Sequence, residues 1–244
     1  MMLPLLMGDR ETAPVRLLAI GAHADDIEIG CGGTLLRLIE RELISEVLWV
    51  VLSGEDGRAA EARDSAGSLL EGVPRHTVIV EDFEDGFFPF NGTGIKGFFE
   101  GLKRDFSPDV VFTHQRGDLH QDHRLSSDLT WNTFRDHLIL EYEVPKYDGD
   151  MGTPNVFVPL EERLRQKKID HLMSHFDSQL HRPWFKDELF SGLLRLRGME
   201  CNSPTSYAEA FVCRKAVLAL GQGQRARQDS NLRPLPPEGS ALSS

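Results

Sequence analysis

The segment Gly21-Ala22-His23-Ala24-Asp25-Asp26 sets one imidazole beside two adjacent carboxylates. His and Asp are both ordinary zinc ligands, at roughly 2.0–2.2 Å, and a second carboxylate next to a ligating one is suited to moving a proton. About 100 residues later, His120-Gln121-Asp122-His123 offers two imidazoles with a carboxylate between them. One of these can bind a metal while the other, held by the aspartate, supports changes of charge. Each segment alone has a plainer reading. Asp25 or Asp26 can simply cap a helix, and the second run can be a polar helix entry. Their placement in the fold decides between these readings.

Both segments directly follow an apolar run. Residues 15–20, VRLLAI, read as a buried parallel strand. After GAHADDIEIG, the stretch CGGTLLRLIEREL carries Leu35, Leu38 and Ile39 on one helical face, with Thr34 near the expected N-cap. Gly30, Gly32 and Gly33 ahead of it are expected to allow a tight turn and a close backbone approach. The run EVLWVVLSG supplies a second strand and completes a βαβ unit. The alternation continues with a helix over 58–70, a strand over 76–80 and a helix over 95–106. DVVFTH then reads as a strand and 122–137 as a helix. This pattern predicts a Rossmann-like α/β fold, a mostly parallel doubly wound sheet with helices on both faces. In such sheets ligands bind in the crevice outside the carboxyl ends of the strands. Both candidate segments lie at such ends.

The pattern loosens beyond residue 138, where strands near 138, 156 and 208 and helices over 161–175 and 186–197 are expected. We read residues 1–14 as a lead segment and 15–220 as a single catalytic domain. Within it, 138–220 form an extension that contributes to the substrate pocket. Residues 221–244, rich in Gly, Pro, Ser and Gln, are read as a disordered tail.

AHADD followed by GCGGTL, with HQDH far downstream, resembles the PIG-L/LmbE-like family of zinc-dependent N-deacetylases. The resemblance spans roughly residues 15–140. It implies that His23, Asp26 and His123 hold one Zn2+, that Asp25 is the general base, and that His120 is an electrostatic or acid partner oriented by Asp122. One departure is visible: Ala24 stands where the family commonly has proline, which removes local rigidity but no ligand. Three protein ligands leave zinc a position for water, as a catalytic site requires. The implied substrate is a small N-acetylated amino sugar or sugar conjugate. The alternatives are a metal-dependent amidase for another small N-acyl compound and a non-catalytic metal-containing binding protein.

Other residues carry less weight. Arg58, Glu61 and Arg63 open the helix after the second strand and are candidates for substrate contact, although a solvated helix face is the plainer reading. Asp82 and Asp85 precede Gly86 and can line the same edge or merely form a turn, and His114, which ends the fourth strand, is a candidate for substrate contact or for a place behind the metal ligands. His171 and His175 are spaced i, i+4, but with no third ligand in sight they read as a surface pair. Gly92-Thr-Gly94-Ile-Lys-Gly97 satisfies a dinucleotide pattern, yet it follows a Pro/Asn loop where the fingerprint requires a strand.

Composition sets the outer bounds. The chain has 244 residues and a formal charge of -11, with no Lys/Arg block to form a basic face, so a nucleic-acid partner is not expected. Cys31, Cys201 and Cys213 form no CxxC pair, which argues for free thiols in a reducing compartment. No run approaches the ~20 apolar residues of a membrane span. A cytoplasmic location is expected, and a homo-oligomer is compatible with the sequence.

Overall fold

The structure is a computed structural model that describes residues 14–54 and 57–217. The expectations for the lead segment and the tail lie, for all but Pro14 of the former, outside the described residues.

Seven strands form one sheet in the order β3-β2-β1-β4-β5-β7-β6. The strands β1 (Val15–Gly21), β2 (Ile44–Val51), β3 (His76–Val80), β4 (Val110–His114) and β5 (Leu138–Tyr142) run parallel. The expected extension continues the same sheet: β7 (Tyr207–Val212) pairs antiparallel to β5, and β6 (Val156–Leu160) pairs antiparallel to β7. From β1 the chain runs outward to β2 and β3, then returns to place β4 on the other side of β1. The crevice between β1 and β4 is therefore the topological switch point.

Alternation along β1 assigns the two faces. Leu17 and Ala19 enter one core with Trp49, Leu69, Leu164, Leu172 and Leu194, beneath the helices α1 (Asp26–Glu40), α2 (Arg58–Leu69), α5 (Glu162–His175) and α6 (Asp187–Glu200). Leu18 and Ile20 enter the other with Ile95, Phe99, Leu102 and Leu129, beneath α3 (Gly92–Asp105) and α4 (Gln121–Thr133). Burial on both faces explains why the parallel strands read as continuous apolar runs.

One expectation is corrected. The segment after β1 does not turn through its glycines. The helix α1 begins at Asp26, with Asp25 in the N-cap position, so Gly30, Gly32, Gly33 and Thr34 all lie within it. Acidic Asp26 and Glu28 in its first turn suit the positive end of the helix dipole. Mid-helix glycine costs up to about 1 kcal/mol of propensity, and the reason for accepting it is close approach. A Cβ on Gly30 would stand 2.1 Å from the Tyr142 ring, and one on Gly33 would stand 2.5 Å from Leu160 and 2.9 Å from Glu209. Glu209 of β7 reaches into this helix, accepting from the backbone N–H groups of Gly33 (2.7 Å) and Thr34 (2.6 Å). Lys168 of α5 completes the junction, donating to the Ile29 carbonyl and to Glu209, each at 2.6 Å.

Candidate metal centre

The loop after β1 delivers His23, Asp25 and Asp26, and the loop after β4 delivers His120, Asp122 and His123, so the two motifs meet at the switch point. His23 Nδ1 lies 3.2 Å from His123 Nε2 and 3.3 Å from Asp26 Oδ2, and His123 Nε2 lies 3.5 Å from Asp26 Oδ1. A tetrahedral cation with bonds near 2.0–2.2 Å spaces its ligands about 3.3–3.6 Å apart. The three predicted ligands approach one another at about such separations, Asp26 through Oδ2 on the His23 side and Oδ1 on the His123 side.

The outer nitrogens support the same reading. His23 Nε2 is 3.0 Å from Asp85 and 3.4 Å from Asp122, while His123 Nδ1 is 2.9 Å from Asp118. Carboxylates facing the outer nitrogens keep the protons there and turn bare lone pairs inward, as metal-ligating histidines need. Two lone pairs facing each other at this distance repel unless a proton or a cation lies between them. The residues present therefore fit a divalent cation. Among the described residues, three overlapping groups could hold a metal: His23, His120 and His123; His23, Asp85, His120 and Asp122; and Asp26, His114 and His123.

Electrostatics sort the protonation states. Burial lowers the His123 pKa to about 4, with the neighbouring His114 acting in the same direction, so this imidazole is neutral at pH 7. Burial also acts to lower His23, but the carboxylates of Asp122, Asp26 and Asp85 hold it well above its ordinary value. Asp26 is pushed up by burial and brought well below the usual carboxylate range by His123, His114 and His23. It also accepts the His23 backbone N–H at 2.6 Å. Asp25 is different. Burial raises its pKa, and the Arg58 guanidinium, 2.7 Å from Oδ1, opposes the rise. Its Oδ2 is buried and has no hydrogen-bond partner.

His120 occupies the N-cap of α4, where its Nδ1 accepts the Asp122 N–H at 3.3 Å. A backbone N–H always donates, so Nδ1 is unprotonated and the ring proton sits on Nε2. The ring packs edge-on to His23 and tilted against His123. The Asp122 carboxylate lies elsewhere, accepting from Gly86 N–H (2.6 Å) and Phe88 N–H (3.1 Å) of the loop after β3. Asp122 thus meets His120 through its backbone N–H alone, while its side chain ties the loop after β3 to the site.

The lower-weight candidates divide. Arg58 reaches the centre through Asp25. Glu61 does not, because both its oxygens accept from Ser178, at 2.8 and 2.6 Å, joining α2 to the C-terminal half. Asp82 is exposed, with its backbone bridged to Ser53, and Asp85 is the acid of that pair that meets His23. His114 is fully buried behind Asp26, with Nε2 3.2 Å from the carboxylate and 3.0 Å from the Ala22 N–H, so it supports the metal side and lies out of a substrate's reach. Arg63 donates to the Val80 carbonyl. His171 stacks on His175 and bonds Ser65, far along α5. The Gly92–Gly97 pattern opens α3 behind a 3-10 turn, Phe88–Phe90.

Sequence reasoning missed Asp118 and Lys146. The signal for Asp118 was present in the Asp-x-His-x-Asp-His spacing of residues 118–123. Lys146 carries no local signal, since it comes from the loop after β5.

Residues 18–134 match the PIG-L family, described as GlcNAc-PI de-N-acetylase. The uncharacterized deacetylase YaiS of Escherichia coli K12 is 30% identical over 168 residues, covering 65% of this chain and 89% of YaiS. Among solved structures, the N,N'-diacetylchitobiose deacetylase of Pyrococcus horikoshii superposes with a TM-score of 0.63 at 20% identity, over 81% of this chain and 83% of that one. The 4-carboxy-2-hydroxymuconate hydratase GalB of Pseudomonas putida KT2440 superposes with a TM-score of 0.68 at 17% identity, over 85% and 99%. The last pair shows that one fold carries more than one reaction, so the fold alone does not name the chemistry. With the paired motifs, the matched sequence pattern and the YaiS relationship together, the chain belongs to the PIG-L/LmbE family of deacetylases.

Proposed function

We propose that this protein hydrolyses the acetamide of an N-acetylated amino sugar, free or conjugated, with a zinc ion held by His23, Asp26 and His123. The observation that carries the reading is the convergence of those three side chains, 3.2 to 3.5 Å apart, beside a carboxylate that none of them uses. When bound, zinc would acidify the attacking water and draw charge from the carbonyl oxygen.

The chain's own groups supply the rest. Asp25 takes the water proton on Oδ2, the oxygen with no partner, while Arg58 holds Oδ1 and favours the ionised form. His120 presents Nε2–H and donates to the carbonyl oxygen as negative charge develops there. As the carbon–nitrogen bond breaks, the proton held by Asp25 passes to the departing amine, so acetate and free amine leave together.

A second reading shares this chemistry but takes a less polar N-acyl compound. It is favoured by exposed apolar side chains on the loops bordering the site: Phe87 (49% exposed), Phe90 (82%) and Leu119 (53%). Acetate release from N-acetylhexosamines, nucleotide sugars, and aryl or alkyl amides separates the two. Asp25→Ala is expected to retain metal and lose turnover, and His123→Ala to lose both. Full activity in Asp25→Ala would remove the assigned base.

A further inference from the structure

We propose that Asp118 is a positioning residue that sets both histidines of the second motif with one carboxylate, and that Lys146 holds it in place. The proposal rests on the reading of His123 as a metal ligand. Asp118 is 1% exposed. Its Oδ2 lies 2.9 Å from His123 Nδ1, and its Oδ1 accepts the His120 backbone N–H at 2.8 Å. One side chain therefore fixes the ring of the ligand and the main chain of the neighbouring candidate donor.

The chemistry explains why a carboxylate stands there. A neutral imidazole offers a lone pair to a cation from one nitrogen only when the proton is kept on the other. An anionic acceptor at Nδ1 keeps it there, leaving Nε2 bare toward His23 and Asp26. A buried carboxylate needs compensation in turn. The ammonium of Lys146 provides it, 2.8 Å from Asp118 Oδ2 and 2.6 Å from Asp150. Asp150 accepts the Leu119 N–H at 2.6 Å, and its carbonyl accepts from Gln115 at 3.2 Å. The loop after β5 is thereby latched onto the loop that carries the histidines, and the ligand's orientation depends on a segment outside either motif.

A simple loop clamp would use the same contacts, so the test must read the metal. Zinc affinity is measured for the full chain by competition with a chromophoric chelator, and the cobalt-substituted protein gives the ligand geometry from its visible spectrum. Asp118→Asn is expected to weaken zinc roughly 10- to 100-fold and to alter the cobalt bands. Lys146→Met should give a smaller loss in the same direction. If Asp118→Asn binds zinc within about threefold of the parent, with an unchanged cobalt spectrum, the residue is only a clamp and the proposal is wrong, whatever happens to thermal stability. Should that variant fail to fold, Lys146→Met decides, and parental affinity there overturns the proposal equally. A parent chain that bound no zinc would instead sink the reading of the centre itself.

Discussion

Arg58→Met is the perturbation that most directly interrogates Asp25 as the proposed base. Arg58 Nη2 stands 2.7 Å from Asp25 Oδ1, and its side chain is 20% exposed against 5% for Asp25. A unit pair with charge centres about 4 Å apart, at an effective dielectric near 20, is worth about 4 kcal/mol. Partial exposure of the guanidinium and solvent entering in its place leave only part of that figure. The sign follows from the carboxylate. Burial already raises Asp25 and Arg58 opposes that rise, so removing Arg58 lifts the pKa further. Asp25 must be ionised to accept a proton, so the acid limb of kcat/KM moves to higher pH while the plateau above it survives. The assay is acetate release across the pH range, with metal content checked at each end. An unmoved acid limb would refute the pairing of Arg58 with a catalytic Asp25. A uniform drop at all pH values with a raised KM would instead mark Arg58 as a substrate contact.

Two further predictions concern the scaffold under the site. Gly30→Ala drives a methyl into the Tyr142 ring, whose hydroxyl donates to the Ile20 carbonyl, whereas Gly67→Ala in α2 meets nothing within 4 Å. Overpacking costs about 1–3 kcal/mol and the helix preference for Ala returns up to about 1. Thermal melts should therefore show the first variant destabilised and the second stabilised by several tenths to 1 kcal/mol, and equal shifts would contradict the packing. Glu28, buried with its Oε1 accepting from Ser65 and its Oε2 unpartnered, has a pKa raised from 4.5 to about 8 by burial. Between these values the folded state keeps a proton that the unfolded state has released, so this group removes stability as pH rises through that window. Glu28→Gln should therefore raise the melting temperature at about pH 8 more than at about pH 5, and equal effects at both would refute the assignment.

The sheet and the two active loops were legible because their signals are local. VRLLAI and DVVFTH declare buried strands, and the polar cluster after each sits where the switch point must fall. The choice of His23, Asp26 and His123 as ligands came from the family resemblance and not from that placement. What the sequence concealed depends on partners far along the chain. Whether Asp82 or Asp85 faces inward depends on the path of a loop that Asp122 anchors from 36 residues away. Glu61 looked like a free acid until its partner, Ser178, came within reach from 117 residues on. The glycines after AHADD signalled a turn by type. In the structure they permit contact between α1 and side chains of β5 to β7, a relation no local window contains.

The reach of Glu209 into α1 bears on where this protein can be cut. The residues that match the family pattern end at 134, and Lys168 and Glu209 lie beyond them. A fragment stopping there would leave the middle of the very helix that begins with Asp26 without the acceptor for Gly33 and Thr34, and without the cation at Ile29. The stretch that bears the recognisable motifs is consequently not an autonomous module. The helix that begins with Asp26 is held in part by β7 and α5.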